Sequence, residues 1–151
     1  DKISGLASEF GHVGDDRLNV MAALLIRRNV FSELGGFCNG FWMYSEDVDL
    51  CRRARNAGHS VAVTYGVTLV HAHGGVSRTN PVIAALTRSE VIVSRHFYAS
   101  RHLGWQAPLY HLALIATRFL PALLSAPSVA RHLMRYYRAV PSRGWKSLRA
   151  R

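Results

Sequence analysis

Negative charge is scarce in this chain. Nine Asp and Glu residues stand against 19 Lys and Arg, a formal net charge of +10. The last acid is Glu90, and residues 91–151 hold ten Lys and Arg with no Asp or Glu. Such a half suits an anionic partner: a phosphate, a nucleic acid or a membrane surface. Cysteine is almost lacking as well. Cys38 and Cys51 have neither metal-site nor disulfide spacing, which excludes a disulfide scaffold and fits a reducing compartment, with each thiol a small apolar side chain. A long uninterrupted apolar run is also missing. Residues 107–126 are rich in Leu, Ala and Ile but broken by His111, Arg118 and Pro121, so they fail the ~18-residue requirement for a spanning helix. An amphipathic helix on a protein or membrane surface is the expectation there. No internal repeat and no secretory signal pattern is present. The chain opens on Asp1 without an initiator Met, and a piece of a longer protein is expected.

Apolar residues are plentiful. They make up 49% of the 151 residues, enough for a folded domain with a core. The densest chemistry lies in Phe41-Trp42-Met43-Tyr44-Ser45-Glu46-Asp47-Val48-Asp49-Leu50, where aromatic bulk precedes three acids within four residues. Ser45 is placed to cap a helix whose first turn takes the acids, where the helix dipole favours negative charge. Val48, Leu50, Cys51, Ala54 and Ala57 give it an apolar stripe, and Gly58 is its expected C′ stop. On these residues alone, the acids could serve only to stabilise a helix start.

Before this helix, Val20 to Ile26 reads as a buried strand, followed by a short helix from Asn29 to Leu34 closed by Gly35-Gly36. After it, Ser60 to Tyr65 and Val67 to Val70 read as strands, the second ending at His71-Ala72-His73-Gly74-Gly75. Histidines at i, i+2 share one side of an extended segment and could reach a common metal, although two imidazoles alone fall short of a zinc site. Asp15-Asp16 reads as a solvated loop pair. Asn80-Pro81 is an N-cap and N1 pair opening a helix to about Leu103. Residues 129–140 set Arg131, Arg135 and Arg138 beside Leu133, Tyr136 and Tyr137, and 141–151 read as a basic tail.

The ordered set Arg27-Arg28, Phe31, Gly35-Gly36-Phe37, Phe41, Tyr44, Glu46-Asp47, Asp49-Leu50, Arg53, Gly58, His71, Gly74 and Ser77 resembles the C-terminal half of the catalytic domain of family-2 glycosyltransferases, of the bacterial rhamnosyltransferase-like branch. The likeness covers roughly residues 18–105. It implies an α/β GT-A fold with a mixed sheet, residues 1–105 forming its acceptor-side half and 106–151 a basic amphipathic helical extension. It also implies sugar transfer with inversion, rhamnose being the sugar of that branch, from a nucleotide-sugar donor to a glycan or lipid-linked acceptor, with a divalent metal, Mg2+ or Mn2+. On the resemblance Asp47 is the catalytic base, Glu46 orients it or the acceptor, and His71 helps hold the metal. Gly35, Gly36 and Phe37 border the acceptor, with Trp42 and Tyr44 in the same substrate-binding set. Arg88 and Arg101 lie near the donor phosphates. Cys38-Asn39 stands where the family commonly has Asp-Glu, and no Asp-X-Asp motif is present, so the chain alone is expected not to hold a nucleotide sugar. The expected location is cytoplasmic, peripheral on the inner face of a membrane through residues 107–140. A basic membrane-surface or nucleic-acid module without catalysis is the alternative. No nucleic acid is expected, because no helix-turn-helix or zinc pattern accompanies the charge.

Overall fold

The computed structural model describes residues 23–62 and 80–150. The chain divides into two compact units, Asp1–Gly36 with Asp47–His73, and Phe37–Glu46 with Gly74–Arg151.

The expected mixed sheet is overturned: among the described residues the chain is helical and holds no strand. Residues 23–26 and 60–62 have no regular structure, and the rest of the expected strands, with His71 and the Asp15-Asp16 pair, lie outside the described residues. An apolar run cannot by its periodicity say whether a strand forms, and a strand stands only where a neighbour takes its backbone groups. Leu25, counted as buried in that run, is 99% exposed.

In the first unit, α1 (Arg28–Glu33) and α2 (Glu46–Asn56, of this unit from Asp47 on) end in the same way. After α1, Gly36 N–H donates to Phe31 O at 2.9 Å and Gly35 N–H to Ser32 O at 3.1 Å, with φ of 73° and 71°. After α2, His59 N–H reaches Ala54 O at 3.0 Å and Gly58 N–H reaches Arg55 O at 3.0 Å, Gly58 having φ 85°. These are Schellman closures, and they need a left-handed residue that glycine supplies without a Cβ clash. Val30, Leu50 and Ala54 are the buried apolar side chains of the two helices.

In the second unit, α3 (Pro81–His102) begins at Asn80, whose side chain accepts from Val82 N–H at 2.9 Å and Ile83 N–H at 3.3 Å, with Pro81 at N1. A 3₁₀ turn (Gly104–Gln106), α4 (Ala107–Leu114), a π turn (Ile115–Phe119) and α5 (Leu120–Ser125) make one continuous helical run. That run is long and apolar enough to cross a membrane by length and composition, which corrects the expectation that His111, Arg118 and Pro121 disqualify it. Pro127 then opens α6 (Pro127–Arg143). The core is Ala85, Ile92 and Val93 of α3, Ala122 of α5, and Val129, Ala130, Leu133 and Tyr136 of α6. The spacing of the α6 set is one helical face, and Arg131, Arg135 and Arg138 lie exposed on the other.

Residues after Arg143 are not a loose basic tail. The Tyr136 hydroxyl donates to Trp145 O at 2.9 Å. The Trp145 indole stacks on His111 (centroids 3.8 Å apart) and on His96 (4.8 Å). Ser147, buried, donates to Glu90 Oε2 at 2.9 Å. Apolar and aromatic spacing hid these contacts, because each is made across the fold rather than along the chain.

Candidate functional site

The approach to α2 is strained. Tyr44 and Ser45 both have left-handed backbones, with φ of 69° and 63°. For residues with a Cβ this costs about 1–2 kcal/mol each, and such conformations gather at functional sites. Ser45 is thus not the extended N-cap its position predicts. At the head of the helix the backbone N–H of Val48 donates instead to Asp47 Oδ1 at 2.8 Å. Asp47 is half-buried, and Glu46 likewise.

Within the first unit, Asp49 is fully buried and its Oδ2 takes the Arg53 Nε–H at 2.8 Å. The same guanidinium donates to Leu34 O and Gly36 O, each at 2.7 Å. One planar fork thereby ties α2 to the turn that closes α1, a geometry Lys cannot reproduce. Gly36 of the substrate-binding set is held by this fork. Gly35 is exposed. Cys51 has its thiol pushed up from the ordinary value, by burial first and then by the nearby Asp47 charge, against a smaller opposing effect of Arg55. It stays protonated and is a poor nucleophile.

In the second unit, the loop Phe37–Glu46 is secured from behind by α3 and the C-terminal segment. Phe41 is buried edge-on against Phe97, with centroids 4.7 Å apart. Gly40 sits so close to Phe97 that a Cβ would fall 2.0 Å from its Cζ. The Ser94 hydroxyl donates to Met43 O, and Ser147 N–H to Gly40 O at 3.1 Å. Arg149 lies over the Trp42 ring at 5.3 Å and 3.6 Å from Glu90. Burial raises the Glu90 pKa, which Ser147 and Arg149 oppose. Trp42, Tyr44 and Phe37 stay exposed. Arg101 lies over Phe97 at 5.7 Å, and Arg88 is exposed. Ser94, Phe97, Ser147 and Arg149 were not singled out from sequence, although Ser94, Phe97 and Arg101 share helical spacing. His71 lies outside the described residues. Among those described, no group of three or more His, Cys, Asp or Glu could hold a metal ion.

Over 91 residues the chain is 36% identical to N-acetylglucosaminyl-diphospho-decaprenol L-rhamnosyltransferase of Mycobacterium tuberculosis, in strain CDC 1551 / Oshkosh and in strain ATCC 25618 / H37Rv. The similarity is to a glycosyltransferase. The match takes in 58% of this chain and 28% of the relatives' length, so the chain spans under a third of the curated proteins it matches. No protein-family model matches the chain, and no solved structure does.

Proposed function

We propose that this chain is part of a glycosyltransferase that moves a sugar, L-rhamnose by analogy with its relatives, from a nucleotide-sugar donor to a lipid-linked, diphosphate-bearing amino-sugar acceptor. The observation that carries the reading is the 36% identity over 91 residues to a rhamnosyltransferase whose name states such an acceptor. The strained Tyr44-Ser45 approach to the acidic helix supports it.

The transfer is a single displacement with inversion. The Asp47 carboxylate takes the proton of the acceptor hydroxyl as its oxygen attacks the anomeric carbon. The bond from that carbon to the donor phosphate breaks, and its electrons leave with the nucleoside diphosphate. General-base assistance is worth about 10²–10⁴-fold. Glu46 orients the acceptor or Asp47. Gly35, Gly36, Phe37, Trp42 and Tyr44 serve the acceptor, and Arg88 and Arg101 the donor phosphates. His71 remains the proposed ligand of a divalent metal, and no step is written through that metal. The work takes place on the cytoplasmic face of a membrane.

The test is Asp47→Asn in the enzyme that carries this sequence, assayed with a nucleotide sugar and a polyprenyl-diphosphate amino sugar. Turnover should fall by about 10²-fold or more with the fold intact. Near-normal turnover removes Asp47 from the base role.

A further inference from the structure

The helical run Gly104–Ser125 has two apolar sides. Ala107, His111, Leu114 and Ala122 are buried, where α4 packs on α3 and α5 on α6. Leu109, Leu112, Leu120 and Leu124 are exposed, with Trp105 and Leu123 beside them, at 43% to 91% of their surface. The two sets keep parallel spacing. Leu112 to Leu120 on the exposed side and Leu114 to Ala122 on the buried side are equal steps along the chain. In an unbroken α-helix each step would drift ~80° round the axis. The π turn Ile115–Phe119 widens one turn and takes up most of that drift. The exposed leucines thus continue one stripe across the break instead of spiralling away. Arg118 is the one Lys, Arg, Asp or Glu in the run, and its long stem lets the guanidinium reach towards headgroup phosphates.

Two features decide what covers the stripe. Residues 91–151 carry ten Lys and Arg and no acid, so a second copy of the chain would bring like charge against like. An anionic surface would be attracted, and Trp105 is suited to the boundary between headgroups and chains. Crossing the bilayer is disfavoured. The run is packed against α6, which would enter with it, and α6 exposes Arg131, Arg135 and Arg138, costly groups in hydrocarbon.

We propose that the exposed stripe of Trp105, Leu109, Leu112, Leu120, Leu123 and Leu124 docks in the plane of an anionic membrane leaflet, without spanning it. This surface stands independently of the sugar-transfer reading, and either can fail alone.

The test mixes the full chain with vesicles of phosphatidylcholine alone or with an equal share of phosphatidylglycerol. Co-sedimentation should need the anionic lipid and weaken with salt. Leu109→Ser/Leu112→Ser/Leu120→Ser should cut partitioning by about tenfold or more, with helicity unchanged by circular dichroism. Leu124→Ser is the milder variant, should the triple one misfold, and it should weaken partitioning in the same direction by a smaller factor. Leu112→Trp reads depth: its emission should be quenched more by bromines near the headgroups than by bromines near the chain ends. The proposal is overturned by absent sedimentation, by sedimentation indifferent to the serines or to anionic lipid, by deeper quenching, or by a lipid-free dimer that the serines disperse.

Discussion

Gly40→Ala tests how the loop ahead of the acidic helix is held. The added Cβ would lie 2.0 Å from Phe97 Cζ and 2.2 Å from Cε1. Ordinary contact begins near 3.4 Å, so about 1.4 Å must be found, from 3.4 less 2.0. The ring cannot yield freely. Phe97 is buried, with Phe41 packed against it at a steep ring angle and Arg101 over its ring. Overpacking of this kind costs about 1–3 kcal/mol. If the loop retreats instead, it forfeits the bonds from Ser94 to Met43 O and from Ser147 to Gly40 O, at about 1 kcal/mol each. The two routes together set the expected loss at about 1–3 kcal/mol.

Urea unfolding of the second unit, followed by tryptophan emission, measures this loss. Phe97→Leu should relieve the clash, so Gly40→Ala/Phe97→Leu should be destabilised by about 1 kcal/mol less than the two single changes summed. Gly40→Ala within about 0.5 kcal/mol of the parent, or simple additivity with Phe97→Leu, would refute the close-packing account.

Arg53→Ala removes the guanidinium from the buried Asp49 carboxylate and from two carbonyls, and should cost about 3 kcal/mol or more in thermal or urea unfolding; Arg53→Lys should recover less than half, because an ammonium cannot serve all three acceptors. A full recovery by Lys would show that charge alone suffices. Stability should also fall with pH. Burial holds His96 down to about 3 from 6.5, helped by neighbouring His111, which burial itself lowers. Between those values the unfolded chain binds a proton that the folded one refuses, so the full contribution is present above about pH 6.5 and is lost on acidification, at up to about 1.4 kcal/mol per pH unit. Glu90, its pKa raised by burial, works oppositely and gains stability as pH falls towards 4.5. The slope between pH 6.5 and 5 should flatten in His96→Gln. An unchanged slope would take His96 out of the acid response.

Local signals were legible in the sequence, and long-range ones were not. Asn80-Pro81 and the glycines at 35, 36 and 58 mark helix ends because capping is decided within a few residues. The strand reading of Val20 to Ile26 failed where it is described, since an apolar run fixes burial only if some partner covers it. Likewise the aromatic loop 41–44 announced itself, but its support within the second unit did not: Phe97 lies 57 residues after Gly40, and Ser147 lies 57 residues after Glu90. Ser45 shows the limit at short range. Its cap chemistry is right, yet Tyr44 and Ser45 take a left-handed backbone that neither residue type favours.

The same C-terminal segment that sequence reads as a basic tail joins the two themes of the second unit. Trp145 stacks on His111, which lies on the buried side of the helix whose other side carries the exposed leucines. Two residues on, Ser147 bonds Gly40 O, and Arg149 covers Trp42. His96 Nδ1 and His111 Nδ1 are 2.8 Å apart, and His96 Nε2 is 2.9 Å from the Tyr137 hydroxyl. One proton between the two Nδ1 atoms satisfies both rings, whereas protonating both would set two donors face to face. The loop bearing Trp42 and Tyr44 and the leucine-faced helix therefore share one anchor, and it is sound only while that histidine pair stays neutral. Acid that unseats Trp145 should loosen both together, whereas two separately built features would respond at different pH.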